Sequence, residues 1–239
     1  MDQVSSENRF QRDSWLSRLI ETPTYNLVNP NSKLNAKMYP EDWGFISTKI
    51  GVDCVEVGKH LQDLGFRLVD TNIRLRLDRT RSASTGIKSV RLAENSDRQA
   101  VEDLAYSAFR YDRFHADPQI SNRFASRVKK NWVGNYFSGD RGSQMVVAEG
   151  QNGTVGFLLL GEGNDGAWLI DLIAVSAESR GQGIAKQMIC FVIETCLPSS
   201  SELLVGTQIA NHDSVFLYQS IGFILVSASY CFHHHRHPS

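Results

Sequence analysis

The spacing of apolar positions changes several times along the chain, and each change predicts an element. Residues 45–50 read as a strand. Asp53 and Glu56 then make a capping box for a helix with Cys54, Val57, Leu61 and Leu64 at helical spacing. Gly65 stops that helix, and residues 66–77 alternate as a long strand whose Arg74, Arg76 and Asp78 share a solvated face. Residues 82–89, small, polar and without periodicity, read as a linker. Beyond it the order β-α-α-β-β-β-α-β-α-β is predicted over residues 89–233. Strands fall at 90–92, 144–149, 154–160, 167–175, 202–208 and 223–232, the second and third joined by a hairpin at 150–153. Ser96 and Gln99 cap a helix with the stripe Val101, Leu104, Ala105 and Ala108, and a second helix at 122–136 carries Phe124, Val128 and Trp132. Further helices cover 184–196 and the stretch from Asn211 to Gly222. The class is α/β, with a smaller α/β domain over 1–81 and a larger one over 90–239. The first 81 residues offer few apolar positions, so they are expected to pack on the second half.

Composition narrows the function. Of 239 residues, 41% are hydrophobic and 21% charged, which argues against wholesale disorder. Lys and Arg total 25 against 26 Asp and Glu, a balance that disfavours duplex nucleic acid as the main partner. No apolar run approaches the roughly 18 residues of a membrane span, and the first residues resemble no secretory leader. Cys54, Cys190, Cys196 and Cys231 show no C-x-x-C spacing and are expected to be buried thiols. A cytoplasmic protein is expected. The terminal His233-His234-His235 and His237 could bind a divalent metal as a cluster, but no carboxylate or cysteine stands beside them at metal-site spacing, so they are read as a partly ordered tail and no metal is expected.

Residues 169–185 carry the strongest chemical signal. A buried strand runs into a short loop with Gly181 and Gly183, then into an amphipathic helix. Glycines let backbone approach a ligand, and a helix N-terminus offers unpaired N–H groups to a phosphate. The spacing is neither that of a P-loop nor G-x-G-x-x-G, and by itself G-x-G is only a turn signal. Arg180-Gly181-Gln182-Gly183-Ile184-Ala185, however, resembles the R/Q-x-x-G-x-G/A loop of the GNAT superfamily of acyl-CoA-dependent N-acyltransferases. That resemblance implies a mixed, mostly antiparallel sheet with splayed central strands and flanking helices. It also implies acetyl-CoA as acyl donor, its pyrophosphate on the loop amides of residues 180–185. Its pantetheine arm would run along Leu172, Ile173, Ala174 and Val175.

A second segment, residues 211–223, is similar to the superfamily's N-x-x-[AS]-x-x-L-Y-x-x-x-G-F pattern. The resemblance places Asn211 at the helix cap and near the coenzyme, and gives Tyr218 the task of protonating the leaving thiolate. A core aromatic on an amphipathic helix is the alternative for Tyr218. The block Tyr111-Asp112-Arg113-Phe114-His115-Ala116-Asp117-Pro118, with Trp132 and Asn135, and the segment Gly65-Phe66-Arg67-Leu68-Val69-Asp70-Thr71 are similar to one branch of the superfamily. That branch acetylates dTDP-fucosamine, a dTDP-4-amino-4,6-dideoxyhexose, so the likeness implies a nucleotide amino sugar as partner. Arg113 suits a diphosphate, Phe114 stacking or packing, and His115 and Asp117 hydroxyls or an amine. An Arg113–Asp117 ion pair, or a turn begun by Asp117-Pro118, would explain the same residues locally. Asp171 is a candidate base on the strand face of Leu169, or else a bond to a helix terminus. No cysteine has the setting of an acyl-enzyme nucleophile, so direct transfer is expected, and exposed edge strands allow a homodimer.

Overall fold

The computed structural model describes residues 9–80, 89–151, 153–163, 166–198 and 200–236. Most of the expected linker, 82–88, lies outside them, as do Asn152 of the hairpin and His237 of the tail. The chain forms two compact units. One comprises Met1–Asn72, Asp112–Phe124 and Ser227–Ser239; the other comprises Ile73–Tyr111 and Ala125–Val226. The sequence suggested consecutive domains, whereas these units are interleaved.

In the first unit, β1 (Phe10–Arg12), α1 (Ser14–Ile20) and β2 (Thr24–Leu27) precede β3 (Phe45–Gly51) and α2 (Val55–Asp63). β1 is antiparallel to β2, β2 parallel to β3, and β3 antiparallel to the end of β10 (Phe223–His235). Tyr25, Leu27, Leu34, Ile46, Ile50, Leu61, Phe66 and Phe232 are buried together. The expected shortage of apolar positions before residue 81 is made up in two ways: Tyr25, Leu27 and Leu34 come from a stretch that sequence periodicity did not resolve, and Phe232 is supplied by the second half, on which these residues were expected to pack. Two caps also shift. α2 begins after Cys54, not at an Asp53–Glu56 box, and Cys54 is exposed rather than buried. Gly65, at φ 91°, ends the turn after α2 as expected.

In the second unit the order is β4 (Arg67–Leu77)-β9 (Leu203–Gln208)-β8 (Trp168–Val175)-β7 (Gly153–Glu162)-β6 (Gln144–Gly150)-β5 (Val90–Leu92). β5 to β8 pair antiparallel, and β8 with β9 parallel. Ile73, Leu75 and Leu77 of β4 are buried while Arg74 and Arg76 are exposed, the alternation predicted for that strand. One face of the sheet gives Met145, Val147, Phe157, Leu159, Leu172 and Ala174 to Val101, Leu104 and Ala105 of α3 (Arg98–Ala108) and Val133 of α4 (Asn122–Phe137). The intervening residues Val146, Leu158 and Leu160 are buried too, because the opposite face is covered. There α5 (Ile184–Phe191) brings Met188 and Ile184 within 3.1 and 3.4 Å of where a side chain would start at Gly156. The order of elements after residue 89 is the one predicted. α3, however, is entered through a short 3₁₀ turn at Asn95–Asp97, not through a Ser96–Gln99 box. Asp97 accepts from the Glu94 N–H at 2.8 Å and from two nitrogens of Arg91.

Candidate active site

The site begins with a defect in strand pairing. β8 and β9 pair only at Trp168↔Leu203, Leu169↔Leu204 and Ile170↔Val205, yet β8 continues to Val175 and β9 to Gln208. Past Ile170 the strands therefore part, while β8 stays paired to β7 as far as Gly156↔Val175. On its β9 side, the backbone of residues 171–175 is left without that partner strand. Buried backbone groups need partners, so such a segment is a ready edge for an amide-bearing chain to lie along. The splay coincides with Leu172, Ile173, Ala174 and Val175.

Asp171 stands where the register slips. Leu159 faces Leu172 and Leu160 faces Ile170, so Asp171 is the extra residue of a β-bulge. The bulge puts Asp171 and Leu172 on the same face, that of α4, where simple alternation also placed Asp171 with Leu169. Its carboxylate takes the Trp132 indole N–H at 2.9 Å and a forked Arg141 guanidinium at 2.7 and 3.0 Å. Trp132 itself lies between two cations, Arg141 4.1 Å and Lys129 5.0 Å from its ring centre. A carboxylate with three such donors is held in place. Arg141 escaped the sequence reading because a loop arginine carries no periodic signal.

Beyond Val175 a short turn leads to the glycine loop. Gly181 and Gly183 have φ of 75° and 76°, the left-handed region, and a side chain built on either would meet nothing within 4 Å. Gly183 caps α5 without any side-chain bond, and the first turn of α5 holds no acidic residue. No side chain caps the N–H groups at this positive helix end, the arrangement a phosphate uses. Arg180 bonds the carbonyls of Val175 and Ala108, both at 3.2 Å, and Gln182 that of Glu178 at 3.3 Å. These side chains fix the loop. α5 gives way to a π-helical turn, Val192–Cys196, within the span read as one helix.

α6 (His212–Ile221) follows β9. Asn211 caps it by accepting the Ser214 N–H at 3.4 Å, and Gly222 ends it at φ 112°. Tyr218 is buried, with its ring centre 5.5 Å from that of Phe223. Burial pushes the phenol well above its ordinary pKa, so it holds its proton at neutral pH.

The residues expected to recognise an acceptor lie in the other unit. Asp112, which the sequence reading passed over, organises them. It accepts the Phe114 N–H at 3.1 Å and pairs with His115 Nδ1 at 2.6 Å. Phe114 is buried, and the Arg113 guanidinium lies over its ring at 4.5 Å. Among the described residues no carboxylate is within ion-pair distance of Arg113; desolvation lowers its pKa, partly offset by more distant anionic groups. Asp117 accepts the Gln119 N–H at 2.9 Å, the turn foreseen for Asp117-Pro118. Its other oxygen is 2.7 Å from both His233 Nδ1 and His235 Nε2. Burial alone would raise the Asp117 carboxyl, but these donors bring it below the usual carboxylate range. His233 is driven down to about 4 by burial, against the pull of Asp117. Histidines 233–235 are therefore the last residues of β10 and not a tail, because β3 supplies partners out to His235↔Phe45. The signal that could have found them is H-x-H, two side chains on one strand face.

Loop, splay and capped tyrosine helix together define an acyl-CoA-binding fold, and comparison with known proteins agrees. Residues 99–238 match the family described as the acetyltransferase (GNAT) domain, and the chain belongs to that family. It is 28% identical over 192 residues to dTDP-fucosamine acetyltransferase of Escherichia coli O6:H1, covering 79% of this chain and 80% of that protein. It is 29% identical over 143 residues to the spore coat polysaccharide biosynthesis protein SpsD of Bacillus subtilis, covering 59% of this chain and 48% of that one. The match thus spans about half the length of SpsD. Among solved structures, a conserved protein of unknown function from Staphylococcus epidermidis superposes with TM-score 0.62 at 16% identity, over 90% of this chain and 85% of that one. The tandem GNAT protein of the clavulanic acid biosynthesis pathway gives 0.60 at 12%, over 91% and 77%. At such identities the structural matches speak for the fold. No helix among the described residues is long and apolar enough to cross a membrane.

Proposed function

We propose that the protein is an N-acetyltransferase that moves an acetyl group from acetyl-CoA directly to the amine of a nucleotide-linked amino sugar of the dTDP-4-amino-4,6-dideoxyhexose type. One observation carries the acyl-CoA half: the β8–β9 splay leads within one turn to an uncapped helix start with two left-handed glycines. Amides of Gly181, Gln182, Gly183, Ile184 and Ala185 hold the pyrophosphate. Backbone of Leu172 to Val175 holds the pantetheine arm, and Asn211, which caps α6 through its side-chain oxygen, offers its amide nitrogen to the coenzyme.

The transfer forms an amide C–N bond and breaks the thioester C–S bond. A β8 N–H at the splay donates to the carbonyl oxygen as negative charge develops there. Tyr218, kept protonated by burial, gives its proton to the departing thiolate. Asp171 acts through position, fixing the bulge beside the splayed segment, and the amine loses its proton to solvent. No cysteine intermediate is needed. The four thiols are exposed (Cys54), buried (Cys190, Cys231) or half-buried (Cys196), and burial pushes Cys196 and Cys231 away from the reactive thiolate form.

Acceptor recognition is assigned to the 112–117 segment. Arg113, with no carboxylate at ion-pair distance among the described residues, suits a diphosphate; His115, oriented by Asp112, suits a sugar hydroxyl. Phe114 backs the guanidinium and Asp117 holds the turn. The relatives named for dTDP-fucosamine and for spore coat polysaccharide support this substrate class. Exposed Phe216, Leu225 and Val226 fit a homodimer, which light scattering tests directly. Coenzyme A release from acetyl-CoA, measured with dTDP- and UDP-linked 4-amino-4,6-dideoxyhexoses beside spermidine and a peptide amine, tests the substrate. Release with a nucleotide sugar alone is expected. Release with spermidine or the peptide instead transfers the activity to another amine, and acyl-CoA binding with no release leaves a binding module.

A further inference from the structure

We propose that Asp117, His233 and His235 form a binding site for a divalent transition-metal ion of the zinc class. The three come from two places far apart in the chain. β10 supplies the histidines at i and i+2, so both rings leave the same face of the strand. The turn at 117–120 supplies the carboxylate from 116 and 118 residues away. Oδ1 of Asp117 is occupied by the Gln119 N–H, which orients the group and leaves Oδ2 as the ligand atom. Oδ2, Nδ1 of His233 and Nε2 of His235 lie within 4.8 Å of one another, with both nitrogens 2.7 Å from the oxygen.

Two imidazoles and one carboxylate are a donor set that zinc takes in tetrahedral sites with a fourth, open position. With bonds of about 2.0–2.2 Å, ligand atoms of a tetrahedral site stand about 3.3 Å apart. To admit the ion, each imidazole withdraws from Oδ2 by ~0.6 Å, and the two nitrogens, now within 4.8 Å, settle ~3.3 Å from each other. The side chains of Asp117 and His233 are 1% exposed and that of His235 is 22% exposed, so the fourth position faces the His235 side. Phe45 flanks both rings, with ring centres 4.8 Å from His233 and 4.9 Å from His235, which keeps them in their present orientations. Bound there, the ion pins the 112–124 segment, with Arg113 and His115, to the end of β10. The chemistry proposed for acetyl transfer is independent of it.

Two hydrogen bonds to Asp117 also satisfy this triad, so the experiment separates a metal site from a purely hydrogen-bonded brace. Full-length protein, stripped with a chelator, is titrated with Zn²⁺ by calorimetry and with Co²⁺ by visible absorption. One equivalent should bind, raise the thermal midpoint, and give the d–d bands of a nitrogen- and oxygen-ligated site without thiolate charge transfer. His235→Gln and Asp117→Asn should each weaken Zn²⁺ by at least ~10-fold, with folding checked by circular dichroism. His237→Gln, a control for chelation by the terminal histidines, should bind as the parent does. The proposal is overturned if no stoichiometric ion binds, if His235→Gln binds zinc unchanged, or if His237→Gln alone abolishes binding.

Discussion

The glycine loop of one unit and the histidine–carboxylate cluster of the other show two opposite uses of polar groups. At residues 180–185 the side chains of Arg180 and Gln182 donate to the carbonyls of Val175, Ala108 and Glu178, while the N–H groups at the start of α5 have no capping side chain. At Asp117 the polar atoms close upon each other, one carboxylate serving two imidazoles and a backbone N–H. The first arrangement keeps capacity for a ligand and contributes little to folding. The second holds chain segments together. Substitutions in the loop should therefore cost acetyl-CoA binding and spare stability, and substitutions in the cluster should cost stability and spare acetyl-CoA binding.

The largest contrast should come from Gly183→Glu. A charge and a side chain at φ 76°, facing the pyrophosphate, should weaken acetyl-CoA at least ~100-fold by calorimetry while the thermal midpoint moves little. Next, Tyr218→Phe should lower kcat by ~100-fold or more and leave the acetyl-CoA dissociation constant within a fewfold, as steady-state and binding data would show. Equal effects on both would return Tyr218 to a packing role. In the other unit, Asp117→Asn in metal-free protein should cost about 2 kcal/mol in urea unfolding, with acetyl-CoA affinity unchanged.

Smaller effects sharpen the contrast. Asp171→Asn should reduce kcat by less than ~10-fold with the pH profile in place, because its carboxylate holds Trp132 and Arg141. A lost acid limb would make it the base. Asp97 gives the acid-stability counterpart. Hydrogen bonds from Arg91 lower its carboxyl below the ordinary value, so its stabilisation is present above about pH 4 and is lost as pH falls through the folded-state value. Asp97→Asn should cost about 1–2 kcal/mol at pH 7 and less than that at pH 3.

How much of this was legible follows from distance along the chain. The glycine loop and the Asn211–Phe223 segment are local patterns, and the strand, cap and helix around each formed where spacing placed them. β1 and β2, three and four residues long, carry too little alternation to be seen and exist because β3 pairs with β2. The last three residues of β10 are histidines, weak strand formers, yet β3 draws them into register. Asp171 shows a further limit: one bulge residue sets Asp171 and Leu172 on the same face, so strict alternation fails for the β8 residues that follow. The Asp117 cluster could not be read locally, since its carboxylate comes from a turn more than a hundred residues before the histidines.

Hydrogen exchange of the full chain with and without saturating acetyl-CoA tests the central claim most directly. Amides in 181–185 and in 171–175 of β8 should slow on addition, while those around Asp117 and the end of β10 keep their rates. Saturated binding with unchanged exchange in both of the first two segments would contradict the assignment of loop and splay as the acyl-CoA site.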